Sequence, residues 1–169
     1  MTMQFDLDAK APSQTRGAAP VGALQELPPV ELAAIVYLRA WCEGGDDRGI
    51  IAKDFRLVMG HAEGAVAAAD FHDLMTILLG SARRPIMRHG LGCRCFGGDE
   101  SAFAHMIAAA ASGSTEDAML FASILMSGDA AWAATRLADR LGQTFLRLAR
   151  GPGRRQAPTH ATTPTPYTH

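Results

Sequence analysis

The chain has 169 residues, 48% hydrophobic and 20% charged, a balance that supplies the core of one domain. Its 16 Lys+Arg against 17 Asp+Glu exclude a globally basic nucleic-acid binder and a highly charged disordered chain. Three cysteines are too few for the dense disulfide framework of a small secreted domain. Near-neutrality hides an asymmetry. Residues 1–80 hold 6 basic and 11 acidic side chains, whereas residues 81–169 hold 10 and 6.

Residues 1–26 are rich in Ala, Pro, Gly and Thr without a period and are expected to form a flexible N-terminal arm. The start, Met1–Lys10, carries Asp6 and Asp8 and has no basic segment followed by an apolar run, so no secretory signal is expected. The longest apolar stretches, Leu32–Leu38 and Ala118–Met126, fall well short of the ~20 residues that cross a bilayer. A cytoplasmic location with free or metal-bound thiols is the expectation.

Helical signals fill residues 27–150. Pro28-Pro29 opens a first helix and Gly44-Gly45 stops it after Cys42. Asp46 is positioned to cap a second, from about Asp47 to Met59. A third begins near Ala62 and places Ala67, Phe71, Leu74, Met75 and Leu78 on one stripe. A loop from about Pro85 to Gly98 follows. Asp99 is read as the cap of a fourth helix, and Ser114 with Asp117 approximates a capping box for a fifth. Asp129 is read as the cap of the last and longest helix, with Ala134, Leu137, Leu141, Phe145 and Leu148 along one side. Trp41, Phe71, Phe103, Phe121, Trp132 and Phe145 are expected as core anchors. The Pro- and Thr-rich residues 151–169 cannot bury enough surface to offset their ordering entropy and are expected to be disordered. The pattern predicts an all-α fold of about six helices in a single bundle-like or orthogonal domain.

The loop between the third and fourth helices carries the chemistry. His89, Cys93 and Cys95 place three soft or borderline donors within seven residues, a partial zinc set. His72, Cys42 or His105 are the candidates for a fourth ligand. Strong zinc patterns use two separated ligand pairs, and here one close pair stands without its partner. Arg88, Arg94 and the N-terminus of the following helix favour a thiolate, which admits redox sensing, whereas Asp99 and Glu100 oppose it. Gly90-Leu91-Gly92-Cys93-Arg94-Cys95 lacks the third glycine of a dinucleotide fingerprint and follows no strand, which argues against a nucleotide site.

The elements Arg-Arg-Pro, Arg-His, Gly-Cys-x-Cys and Gly-x-Asp-Glu-x-x-Phe-Ala, between Arg83 and Ala104, resemble a family of small all-helical alphaproteobacterial proteins. The likeness extends over about Leu27 to Leu148. It takes in the Leu-Pro-Pro start, the Tyr-Leu-Arg-x-Trp-Cys helix and the Glu-Asp-Ala-Met-Leu helix. Relatives of that family carry further cysteines in the third helix, where this chain has Met75 and Leu78. The resemblance therefore implies that candidate ligands are missing here. It supports the fold boundaries and brings no activity with it.

Elsewhere, Arg136, Arg140, Arg147 and Arg150 line the polar side of the last helix. A solvated arginine face or a phosphate-backbone contact would each use such a row. The acid pairs Asp46-Asp47, Asp99-Glu100 and Glu116-Asp117 all fall at helix starts, where capping and the dipole explain them. No His-Glu-x-x-His, Gly-x-Ser-x-Gly or Glu-x-x-His arrangement is present, so no enzyme is expected. The first functional expectation is a small cytoplasmic accessory or regulatory protein that binds a protein partner. Its contact surfaces would be the Cys93/Cys95 loop and the arginines Arg83, Arg84, Arg88, Arg94, Arg136, Arg140 and Arg147. The alternatives are a zinc-binding or redox-sensing module built on His89, Cys93 and Cys95, and a DNA-binding regulator using the basic helix.

Overall fold

A computed structural model describes Gly17 and residues 19–150. The expected 151–169 tail and most of the expected N-terminal arm lie outside the described residues. Six helices carry the fold: α1 (Pro29–Glu43), α2 (Asp46–Met59), α3 (His61–Gly80), α4 (Gly98–Ala111), α5 (Thr115–Leu125) and α6 (Gly128–Arg150). Two short antiparallel strands, β1 (Pro20–Ala23) and β2 (Cys95–Gly97), complete it. The domain is all-α, as the periodicity predicts.

The turn between α1 and α2 is Gly44-Gly45, with φ of 78° and 57°, a backbone region that side-chain-bearing residues rarely adopt. This lets the chain reverse within two residues and lay α2 beside α1 and α3. α4 sits centrally and packs on α1, α5 and α6. Its buried Ala102, Ala104 and Ala110 keep neighbouring backbones close, while Phe103, Met106 and Ile107 fill the remaining space. At the other end, Phe55, Phe71 and Phe145 are fully buried and meet with centroids 5.6–6.1 Å apart, and Tyr37 adds an edge at 5.4 Å from Phe55. Such tilted aromatic contacts add about 0.5–1.5 kcal/mol per pair beyond burial. The Tyr37 hydroxyl donates to Asp54 at 2.9 Å, which joins α1 to α2.

Three details differ from the sequence reading. Order begins before Leu27: β1 pairs Gly22 with Phe96 and Ala23 with Cys95, and residues 24–26 form a 3₁₀ turn. A Cβ at Gly22 would stand 2.8 Å from the Phe96 ring, so only glycine allows this approach. Ser114 does not form a capping box. Its hydroxyl donates to the Asp117 carboxylate at 2.7 Å and caps no backbone amide. Trp132 is 64% exposed and is no core anchor, because it faces the open groove between α5 and α6 rather than the buried core. Among the described residues, no helix is long and apolar enough to cross a membrane.

Candidate metal centre

Residues 81–94 join α3 to β2 without a helix, so their backbone groups must find partners elsewhere. At the entrance, Ala82 bridges Met126 and the Arg83 amide donates to the Leu125 carbonyl at 3.0 Å. At the exit, β2 pairs with β1, and the Leu24 amide donates to the Arg94 carbonyl at 2.7 Å. Two buried carboxylates at the start of α4 hold the middle. Asp99 accepts the Met87 amide at 2.9 Å and both arms of the Arg84 guanidinium at 2.6 and 2.7 Å. Glu100 accepts the amides of Gly97 at 2.9 Å and His89 at 3.1 Å, together with the His89 ring at 2.8 Å.

The capping expectation is therefore corrected for Asp99 and met in part by Glu100. Gly97 occupies the cap position; Asp99 turns to hold the preceding loop, while Glu100, at the third helical position, binds the cap residue's amide and holds the loop as well.

Arg39 is the second organiser. It lies on α1, 1% exposed, and its Nε and Nη2 donate to Glu100 at 2.6 and 3.1 Å. Its remaining N–H groups donate to the carbonyl oxygens of Gly90 at 3.2 Å, Cys93 at 2.8 Å and Cys95 at 2.7 Å. One guanidinium thus draws three loop carbonyls inward, which fixes the course of the backbone through both cysteines. The donor geometry of arginine suits this role, since lysine has no planar fork.

On this framework a ring nitrogen of His89 and the sulfurs of Cys93 and Cys95 lie within 4.8 Å of one another, all half-buried. Donors on a tetrahedral zinc ion, with bonds of ~2.0–2.3 Å, stand ~3.3–3.8 Å apart, so closure needs at most about 1.5 Å of side-chain movement. Burial pushes the Glu100 carboxyl up, but bonds from Arg39, His89 and the amides of Gly97 and His89 together outweigh it and hold the group below its ordinary value. An ionised Glu100 only accepts, so His89 Nδ1 carries the proton. The Nε2 lone pair is then the one left for a metal. A carboxylate behind a ligating histidine is the common outer arrangement of such sites.

The two thiols lie within 4.8 Å of each other and shift each other's titration. A hydrogen bond from the Cys95 thiol, joined by the Cys95 amide, lowers the Cys93 pKa, and the same contact raises that of Cys95. Arg39 lowers both further. The sequence reading assigned this influence to Arg88 and Arg94. Arg88 acts instead on Cys42, whose thiol is pushed up by burial and only partly drawn back by Arg88.

None of the proposed fourth ligands joins the cluster among the described residues. Cys42 faces Arg88, which reaches its carbonyl at 3.5 Å. His72 lies against Trp41 with centroids 5.5 Å apart. The His105 ring lies 5.0 Å from that of Phe121, and its Nδ1 is 2.8 Å from the Ser101 carbonyl.

The loop arginines divide by partner. Arg84 is held by Asp99, Arg88 by Glu43 at 3.0 Å, and Arg83 donates to the Met126 carbonyl at 3.1 Å. Arg94 is exposed beside a cleft of about 320 Å³ that Leu24, Leu32, Leu91 and Cys93 also line. In α6, Arg140 grips Asp70 of α3 with two bonds of 2.8 and 2.9 Å, and Arg147 points toward the Val58 carbonyl at 3.5 Å. Arg136 lies exposed on the groove between α5 and α6.

The sequence reading missed Arg39 and overlooked Glu100 as an organiser. Arg39 follows Ile35 by one helical turn on the apolar side of α1, and a charge in that position is the signal that was available. Compared with protein-family models, curated proteins and solved structures, the chain has no match.

Proposed function

We propose that the chain is a metal-binding module in which His89, Cys93 and Cys95 hold one zinc ion and leave its fourth position to water or to a donor brought by a partner. The observation that carries this reading is the convergence of the three donor atoms within 4.8 Å. The Glu100–His89 contact supports it further, because that carboxylate orients the imidazole and fixes its tautomer. Two thiolates and one imidazole match the borderline softness of zinc, whereas magnesium and calcium take oxygen donors. The expected role in partner binding joins this reading through the open fourth position. The DNA-binding alternative draws less support, since Arg140 is neutralised by Asp70.

Cobalt substitution of tag-free protein tests the proposal. Titration is expected to give the sulfur-to-cobalt charge-transfer and d–d bands of a tetrahedral thiolate site at about one equivalent. Both bands are lost in Cys93→Ser and Cys95→Ser, and Glu100→Gln weakens binding by about 10–100-fold. Uptake below about a tenth of an equivalent, or bands that survive both serine variants, would overturn it.

A further inference from the structure

The outer side of the α5–α6 hairpin carries a second candidate surface. A groove of about 430 Å³ runs between the helices, lined by Glu116, Met119, Leu120, Trp132 and Arg136. Leu120 is 66% exposed, Ile124 60% and Trp132 64%. A Trp and two aliphatic side chains this exposed, close together, are characteristic of an interaction surface.

The register of the hairpin follows from its cross-contacts. Thr115 reaches Asp139, and Thr135 reaches the Met119 sulfur at 3.6 Å, so the two helices run antiparallel. Continuing that register sets Trp132 level with the stretch between Leu120 and Ile124. The apolar centre has a charge on either side along α6: Asp129 lies three residues before Trp132 and Arg136 four residues after it. Both are exposed, and neither has an ion-pair partner among the described residues.

We infer that this surface pairs with a second copy of the chain about a two-fold axis between Trp132 and Ala133. An antiparallel pairing of α6 with its copy about that point sets each residue before it against the one equally far beyond it in the partner. Arg136 of one protomer then meets Asp129 of the other, twice by symmetry. Trp132 enters the other protomer's groove beside Leu120 and Ile124. A two-fold interface requires a self-complementary surface, and the order acid, Trp, base supplies one. The surface shares no residue with the metal centre, so the two proposals stand or fall separately.

Sedimentation equilibrium or light scattering of the whole chain over a wide concentration range tests the inference. The native protein is expected to show twice its 17.9 kDa mass. Trp132→Ser and Leu120→Glu shift the midpoint to at least about tenfold higher concentration, with unchanged helical circular dichroism because both sites are exposed. Asp129→Arg and Arg136→Asp each weaken association, and the two together restore it. A native protein that stays monomeric throughout, or a dimer indifferent to Trp132→Ser, would overturn the proposal. Failure of the double charge swap to restore what each single reversal removes would overturn the two-fold geometry.

Discussion

Arg39 Nε lies 2.6 Å from Glu100 Oε1, with the two side chains 1% and 0% exposed. The pair spans 61 positions of sequence and ties α1 to the start of α4. Each partner also binds the cysteine loop, Arg39 through carbonyls and Glu100 through amides, so it orders the loop from within. Removing one member leaves the other charge buried without compensation. Arg39→Met is therefore expected to lower stability by about 3–5 kcal/mol. Urea unfolding measures the loss, and tryptic cleavage after Arg88 and Arg94 should quicken in the folded variant. A cost as small as that of a surface pair, about 0–1 kcal/mol, would show that the loop does not depend on this contact.

The same carboxylate gives an acid limb to stability. Glu100 titrates below its ordinary 4.5 in the folded chain, because its hydrogen bonds outweigh its burial. A depressed carboxylate contributes stability in full above its unfolded value, and that contribution is lost as pH falls through the folded one. The stability gap between the native protein and Glu100→Gln should thus be constant near neutrality and shrink below pH 4.5. Urea midpoints of both proteins from neutral pH down to about 3 measure this gap. A gap that stays constant across the whole range would mean that Glu100 does not titrate as its contacts imply.

The helices were legible because their apolar stripes and glycine stops are local. Phe71, Leu74 and Leu78 repeat at helical spacing, and Gly44-Gly45 marks a reversal that neighbouring residues cannot alter. The cluster of His89, Cys93 and Cys95 was legible for the same reason, since all three lie within one short loop. What holds that loop was not. Arg39 and Glu100 are local features of two different helices, and nothing near either residue announces the other. Asp99 carried a misleading signal, as an acid at a helix start fits the capping rule whether or not the loop claims it, and the capping role of Glu100 concealed its second role in the loop. Trp132 misled in the same way. Its type suggests burial, but its position on α6 places it outside the stripe of Leu137, Leu141 and Phe145.

The two loop thiols should differ in reactivity although their sulfurs are neighbours. Cys95 donates to Cys93, which lowers Cys93 from its ordinary 9.0 and raises Cys95. Cys42 is raised by burial, with Arg88 only partly opposing. The thiolate is the nucleophile, so metal-free protein treated with iodoacetamide near neutral pH should be modified first at Cys93. Peptide mass spectrometry over time follows the three sites separately. Exposure alone could also favour Cys93, and Cys95→Ala separates the two causes. This variant uncovers Cys93 slightly yet removes its donor. The pH midpoint of Cys93 alkylation should therefore move upward toward 9.0, even as the sulfur becomes more accessible. A midpoint that stays in place in Cys95→Ala, or equal midpoints for Cys93 and Cys95 in the native chain, would show that the thiols do not share a proton. Zinc added beforehand should slow the reaction at both loop cysteines and leave Cys42 unchanged, because that residue stands outside the ligand cluster.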